Sequence, residues 1–203
     1  MIITPEIRKE FFDVVDFHGC YCLDIAMGFR VAKAMKREMG SDMADMKQIV
    51  AYTGAPTCAA DALQRILGCT VGKRNLFYTD TGKSVFALQN TKSGRTVCAY
   101  VHYWDNFNHD EIRACRSKAK QSGSEADQAA LQSMLDKHID HILSAPESEL
   151  FGLQETKMPS PPKSAKYVTQ ACEQCGEHTK SEQLISRAGK RICKECAGEV
   201  KIQ

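Results

Sequence analysis

The spacing of apolar residues predicts three helices and one strand in the first 68 residues. Thr4 is a favourable N-cap before a proline at the first helical position, and four apolar residues of this helix share one face: Ile7, Phe11, Val14 and Val15. Glycines at positions 40 and 68 favour the ends of the second and third helices. The predicted bounds are about 5–16, 21–39 and 56–68 for the helices and 46–52 for the strand.

The period of the apolar pattern changes to two after residue 76. Three apolar-rich runs are separated by Asp80-Thr81-Gly82 and Lys92-Ser93-Gly94, whose residues tolerate the backbone angles of hairpin turns, so an antiparallel meander is predicted. Helical spacing returns from Asp110 to about Leu143, with a break near residue 123 and Ser124 as the cap of a second helix. The predicted fold class is therefore α+β, with helices packed on an antiparallel sheet.

A shift in composition predicts two domains. Residues 154–167 contain three prolines and almost no large aliphatic side chains, so we expect an extended linker there. It would separate an α+β main domain, residues 1–153, from a small C-terminal segment, residues 168–203. A chain of 203 residues is long enough for one domain with its own core and a short appendage.

Charge, hydropathy and cysteine content bear on the partners and the compartment of the protein. A net charge of +2 provides no dense basic stripe, so the composition gives no argument for or against a nucleic-acid partner. The chain has no run of roughly 18 apolar residues, and its first helix is not signal-like, so we expect a cytoplasmic protein without membrane contact. In a reducing compartment, ten cysteines are better explained by metal thiolates than by disulfides.

The C-terminal segment carries two CxxC pairs separated by 17 residues: Cys172, Cys175, Cys193 and Cys196. This spacing predicts a four-thiolate zinc site, and structural zinc is worth on the order of 10 kcal/mol to a segment too short to fold on its own core. Two disulfides are the alternative, and spacing alone does not separate zinc from iron. The stretch CEQCGEHTKSEQLISRAGKRICKECAG resembles DksA/TraR-type and related treble-clef or ribbon fingers, which contact protein or nucleic acid.

A second group of soft ligands lies in the main domain. His18, Cys20 and Cys22 fall within five residues at a loop-to-helix junction, and Cys58 begins another helix. We expect the helix N-terminus to favour thiolate and to lower the thiol pKa, which suits metal binding. The alternative is that the cysteines are small buried hydrophobes and His18 is a hydrogen-bonded turn residue, and the clustering alone leaves both interpretations open.

Three blocks of this domain resemble the FmdE family, named for a component of formylmethanofuran dehydrogenase: FHGCYCLDIAMGFRVAKAM, CAADALQRILGCTVGKRNL and DTGKSVFAL. The resemblance covers residues 10–105 and extends to about 150. It implies a dimer-forming α+β domain with a metal-binding cleft, to which His18, Cys22, Cys58 and Asp61 correspond. Cys20 stands where the family pattern usually has histidine, and Gly54 where an acidic residue is common.

The resemblance implies a metal-binding protein linked to one-carbon metabolism of the formylmethanofuran dehydrogenase type. A thiolate at Cys20 would make the site softer, suited to zinc or another transition metal. Asp61, Gln64 and Lys73 are the candidate substrate-binding residues, and no general acid, base or nucleophile is assigned. An open metal position facing them would favour an enzyme acting on a small molecule. A closed four-ligand site would favour a non-enzymatic sensor, delivery protein or regulator whose zinc finger binds protein or nucleic acid.

Overall fold

The computed structural model describes residues 3–159, 161 and 168–200. The chain divides into two compact units, residues 1–161 and 162–203, here called the body and the C-terminal unit. The body helices are α1 Pro5–His18, α2 Leu23–Met39, α3 Ala59–Leu67, α4 His109–Ser122, α5 Glu125–Ser144 and α6 Glu147–Leu150. Its strands are β1 Ile49–Thr53, β2 Leu76–Tyr78, β3 Val85–Asn90, β4 Arg95–Val101 and β5 Phe151–Lys157. The α+β prediction is confirmed.

Local sequence signals set several element ends as predicted. The Thr4 side chain accepts a hydrogen bond from the Ile7 N–H at the start of α1, and Ser124 caps α5 through the Asp127 N–H. Gly94 closes the β3–β4 hairpin, where its N–H donates to the Asn90 carbonyl over 2.8 Å. Helices α2 and α3 begin two or three residues later than predicted, which places Cys22 and Cys58 at their N-cap positions.

The five body strands lie in the order β2-β1-β3-β4-β5, with β2 parallel to β1 and the other pairs antiparallel. The predicted meander is therefore wrong for β2. Strand β3 pairs with one edge of β1, from Ile49↔Asn90 to Thr53↔Phe86. Strand β2 therefore pairs with the opposite edge of β1. The segment 80–82 crosses the end of β1, where the Gly82 N–H donates to the Gly54 carbonyl, instead of forming a hairpin turn.

Strand β5 was not predicted, and it replaces the first four residues of the predicted linker. Residues 154–157 pair with Arg95–Cys98 of β4 at the edge of the sheet. Their side chains are mostly exposed, so a polar sequence suits an edge strand and shows no apolar alternation. For these four residues the linker prediction is wrong. Residues 160 and 162–167 of the predicted linker lie outside the described residues.

Helix α2 is the centre of the body core. It contacts α1, α3 and α5 as well as strands β3 and β4, and most of its side chains are buried. Arg30 of α2 is also buried, and its guanidinium donates to the carbonyls of Ile142, Leu143 and Ala145 over 2.6–2.9 Å. The charge therefore satisfies carbonyls at the C-terminal end of α5, where the helix dipole favours a cation.

The C-terminal unit consists of two short hairpins, β6 Thr169–Ala171 with β7 His178–Lys180 and β8 Ile185–Arg187 with β9 Lys190–Ile192. Ala188 and Gly189 both have positive φ, as the tight turn between β8 and β9 requires. The buried core of this unit is small and contains Cys172, Ile192 and Ala197. In the part of the chain that the structure describes, every helix is too short or too polar to span a bilayer.

Candidate metal centres

The ends of three helices bring a histidine and two cysteines together in the body. His18 is the last residue of α1, Cys22 is the N-cap of α2, and Cys58 is the N-cap of α3. One ring nitrogen of His18 and the two sulfurs all lie within 4.8 Å of one another. The structure thus places a residue 36 positions distant in sequence, Cys58, beside Cys22. We call His18, Cys22 and Cys58 the body cluster.

A close helix crossing holds the N-terminus of α3 against α2. A Cβ added to Gly28 would lie 2.6 Å from the Cα of Ala59 and 2.7 Å from its carbonyl oxygen. Only glycine therefore allows this approach of the two backbones. Ala59 follows Cys58 directly, so the crossing also fixes where the Cys58 sulfur lies relative to α2.

A carboxylate and an amide orient His18 through Nδ1, the ring nitrogen that does not approach Cys22. His18 Nδ1 lies 2.7 Å from an oxygen of Asp61, whose other oxygen accepts a 2.8 Å hydrogen bond from the Gln64 side chain. An ionised carboxylate only accepts hydrogen bonds, so Nδ1 carries a proton and, in the neutral ring, Nε2 is the nitrogen with the lone pair. Nε2 lies 4.0 Å from the Cys22 sulfur. This is the carboxylate–histidine arrangement that fixes the tautomer of metal ligands.

Desolvation is the largest influence on the pKa of the two body thiols. It raises the pKa of Cys22 to about 12, while the Ile25 backbone amide at the start of α2 acts in the opposite direction. Burial also raises the pKa of Cys58. The prediction that the helix N-terminus lowers the thiol pKa is therefore wrong here, because desolvation outweighs the helix effect. Without a bound cation the two thiols stay protonated near neutral pH, and a metal would displace their protons.

The other predicted site residues of the body lie outside the cluster. Cys20 is exposed, in the loop between α1 and α2, although it is near enough to raise the pKa of Cys22. Lys73 donates from Nζ to the Gly68 carbonyl beyond the C-terminal end of α3, a nine-residue helix about 14 Å long that carries Cys58 at its other end. Metal binding by Cys20, and substrate binding by Asp61, Gln64 and Lys73, stay predictions.

A cavity of about 260 Å³ adjoins the body cluster and has Cys22 and Cys58 in its wall. Asp24 of α2 also lines it, and burial raises the pKa of that carboxyl. The remaining wall comes from Leu23 of α2, from Trp104 in a short 3₁₀ turn, from Phe107 and from side chains of α4. Sequence reasoning did not identify this wall, because no ligand spacing or motif connects residues 104–116 with the cysteines.

The second cluster lies within the C-terminal unit. The sulfurs of its four cysteines all lie within 4.8 Å of one another: Cys172, Cys175, Cys193 and Cys196. The first pair lies in the turn between β6 and β7, and the second pair follows β9. Four converging sulfurs from two turns have the donor number and chemistry of a tetrahedral metal site.

Backbone amides point at these sulfurs. The Cys172 sulfur accepts from the N–H groups of Gln174 and Cys193 over 3.4 and 3.3 Å, and the Cys193 sulfur accepts from the Cys196 N–H over 3.4 Å. Backbone donors of this kind lower the pKa of Cys172, whereas the Cys193 side chain raises the pKa of Cys196. The unit therefore favours thiolate at Cys172, in contrast to Cys22 and Cys58, the half-buried thiols of the body whose pKa is raised.

Comparisons with known proteins bear on both units. A family model described as "FmdE, Molybdenum formylmethanofuran dehydrogenase operon" matches residues 17–152. A protein from Archaeoglobus fulgidus, named "Probable S-adenosyl-L-methionine-binding protein", is 26% identical over 197 residues. That match covers 90% of this chain and 51% of the relative, so the chain spans about half the length of the curated protein it matches.

Among solved structures, the chain is similar to the crystal structure of a tungsten formylmethanofuran dehydrogenase FmdE-like protein from Syntrophus aciditrophicus. The TM-score is 0.65 at 17% sequence identity, over 97% of this chain and 94% of that one. At this identity the likeness establishes the fold alone.

Proposed function

The chain belongs to the FmdE family, and from that premise we propose that its body holds a transition metal through His18, Cys22 and Cys58 and uses it to bind and activate a small molecule. The observation that carries the proposal is that two residues of the body cluster, Cys22 and Cys58, lie in the wall of a cavity. Zinc sites with three protein ligands usually keep a further position for substrate, whereas structural sites use four.

The donor chemistry fits zinc or another late transition metal. One imidazole and two thiolates are soft to borderline ligands, and the Asp61–His18 contact orients the ring so that Nε2 is the nitrogen on the side of Cys22. When bound, the metal would supply Lewis acidity toward an oxygen, nitrogen or sulfur of the substrate. The protein's own contribution is to fix the three donors on helix ends and to keep the Asp24 carboxylate in the same cavity.

The non-enzymatic alternative, a metal sensor, delivery protein or regulator, depends on Cys20. A fourth thiolate from this residue would close the body site. Cys20 is exposed and lies outside the body cluster, which favours an open site. If Cys20→Ser leaves the affinity for zinc unchanged, the open site is supported. A loss of affinity comparable to that of Cys22→Ser would favour the sensor or delivery role.

The names of the relatives suggest substrates. The family and the Syntrophus protein are named for formylmethanofuran dehydrogenase, and on that ground we propose a role in one-carbon metabolism. The Archaeoglobus relative is named for S-adenosylmethionine, which we therefore propose as a first ligand to titrate. Binding can be followed by the fluorescence of Trp104, the one tryptophan of the chain.

For the C-terminal unit we propose a structural zinc finger of the ribbon type, related to DksA/TraR-like fingers, that docks to a protein. Two hairpins, each adjoining a CxxC turn, favour a ribbon over a treble clef, and the described residues that follow β9, 193–200, contain turns and no helix. A nucleic-acid partner is the alternative, which binding to a mixed-sequence duplex at two salt concentrations would reveal.

We also propose that the body forms a homodimer through its sheet. Strands β1, β3, β4 and β5 line an open cavity of about 520 Å³, whose wall includes Tyr52, Cys98 and the exposed Tyr100. An apolar face of this kind is typical of an association surface. Light scattering should give a dimer mass that falls to the monomer mass in Tyr100→Glu. Tyr78→Glu, equally exposed but outside this cavity, should remain a dimer.

Elemental analysis of the purified full chain tests the main proposal. We expect about two ions per chain, one of them zinc in the C-terminal unit, and about one ion in the double variant His18→Ala/Cys22→Ser. Cys115→Ser, which lies outside both clusters, is the matched control and should retain two ions. An unchanged metal content in the double variant would contradict the body site.

A further inference from the structure

Two arginines of α4 line the cavity beside the body cluster. Arg113 and Arg116 are three residues apart, so their side chains share one face of the helix. Arg113 forms an ion pair with Asp110 over 3.0 Å, with both side chains largely exposed, and such a surface pair is weak. Among the described residues, Arg116 has no ion-pair partner within 4.0 Å. Both guanidinium groups are therefore available to a negatively charged ligand.

Aromatic side chains form the apolar part of the same cavity. The rings of Trp104 and Phe107 meet edge to face with centroids 5.3 Å apart, and both rings line the cavity together with the buried Ile112. A flat or aliphatic part of a ligand would be desolvated against these side chains. The volume of about 260 Å³ lies just below the roughly 300–1,000 Å³ of drug-sized sites, so the ligand is small.

The charges of the cavity wall set the class of ligand. Two arginines outweigh the one carboxylate, Asp24, which can accept a hydrogen bond from a hydroxyl or amino group, and the remaining ionisable side chain of the wall besides the cysteines, His109, adds no negative charge. Guanidinium groups bind carboxylate and phosphate through paired hydrogen bonds. We propose that this cavity binds a small carboxylate or phosphate whose anionic group pairs with Arg113 and Arg116 while its other end faces the metal held by Cys22 and Cys58. This inference rests on the proposed body metal site.

A pair of matched thiols tests the inference in the metal-loaded full chain. 3-Mercaptopropionate and 3-mercapto-1-propanol can both offer sulfur to the metal, but only the first carries a carboxylate. Dissociation constants are measured from Trp104 fluorescence, and the metal content is determined before and after each titration. We expect the wild type to bind the carboxylate at least about tenfold more tightly than the alcohol. Acetate and inorganic phosphate are then each titrated as competitors of bound 3-mercaptopropionate, and the one that displaces it at the lower concentration is the preferred anion.

Charge-matched variants identify the residues responsible. Arg113→Gln/Arg116→Gln should abolish the preference for the carboxylate and leave binding of the alcohol unchanged. Lys118→Gln/Lys120→Gln removes two charges of the same helix outside the cavity and should retain the preference. Equal affinity of the wild type for both thiols, or loss of the preference in both double variants, would overturn the inference while leaving the metal site intact. Failure to find a body metal would refute the proposed function, and the inference with it.

Discussion

Replacement of Gly28 by alanine should destabilise the body, although alanine is the better helix former. Gly28 lies where α2 crosses α3, and the new Cβ would be 2.6 Å from the Ala59 Cα, 2.7 Å from its oxygen and 2.9 Å from its Cβ. Two of these three atoms belong to the backbone. Relief of the overlap therefore requires the two helices to move apart, rather than a side-chain rotation.

Two opposing terms set the size of the effect. Alanine gains about 1 kcal/mol over glycine in a helix interior. Carbon atoms prefer separations of about 3.5–4.0 Å, so each contact is short by roughly 1 Å, and overpacking of a core usually costs about 1–3 kcal/mol. Backbone contacts place the cost at the upper end of that range, and the net loss should be about 1–2 kcal/mol. For a domain of this size the unfolding temperature would fall by about 2–8 °C.

The assay follows Trp104 fluorescence during thermal unfolding, because this tryptophan reports on the body alone. Gly72→Ala is the control: its Cβ would have no atom within 4 Å and its φ is not left-handed, so stability should be unchanged or rise by up to about 1 kcal/mol. Gly28→Ala should also weaken metal binding, since Ala59 adjoins Cys58. If Gly28→Ala were as stable as the control, the proposed tight crossing would be refuted.

Three further changes test other parts of the molecule. Asp61→Asn should lower the metal affinity of the body by about 10–100-fold in a chelator competition, because His18 loses its carboxylate partner, while the C-terminal cluster is unaffected. Cys172→Ser/Cys175→Ser should remove one zinc and the dispersed NMR signals of residues 168–200, and a lower midpoint of Trp104 unfolding would contradict two independent units. Arg30→Met should destabilise the body by about 3 kcal/mol or more in urea, because three carbonyls at the end of α5 lose their donor, and a loss below about 1 kcal/mol would count against that contact.

Local signals made the helices and most of the cluster predictable. The N-cap at Thr4, the stop at Gly68 and the break before Ser124 act within a few residues, and the structure follows them closely. His18 and Cys22 are four residues apart across a helix boundary, so proximity follows from the chain itself. The prediction includes Cys58 because of its position at a helix start together with the family resemblance. The structure adds the close crossing of α2 and α3 at Gly28, which explains why Cys58 lies beside Cys22.

Features that depend on neighbours distant in sequence were missed. The apolar period identifies β2 as a strand but does not specify its partner, and its parallel pairing with β1 follows from β3 occupying the other edge. Residues 154–157 are polar because they lie on an exposed edge, where composition resembles a linker. Arg113 and Arg116 line the same cavity as Cys22 and Cys58 because of how α4 packs, and the sequence has no short-range signal for that packing.

We expect the cysteine clusters of the two units to differ in how far the fold depends on a bound metal. The C-terminal unit has a buried core of only Cys172, Ile192 and Ala197, so we expect its folding to depend on a metal bound by the four cysteines. The body has an extensive core built around α2, and burial keeps the metal-free Cys22 and Cys58 thiols protonated and uncharged. If the body holds the proposed metal, it could therefore release that metal without leaving an unpaired buried charge. A metal that the fold does not require can exchange ligands, which is the property expected of the proposed substrate-binding site.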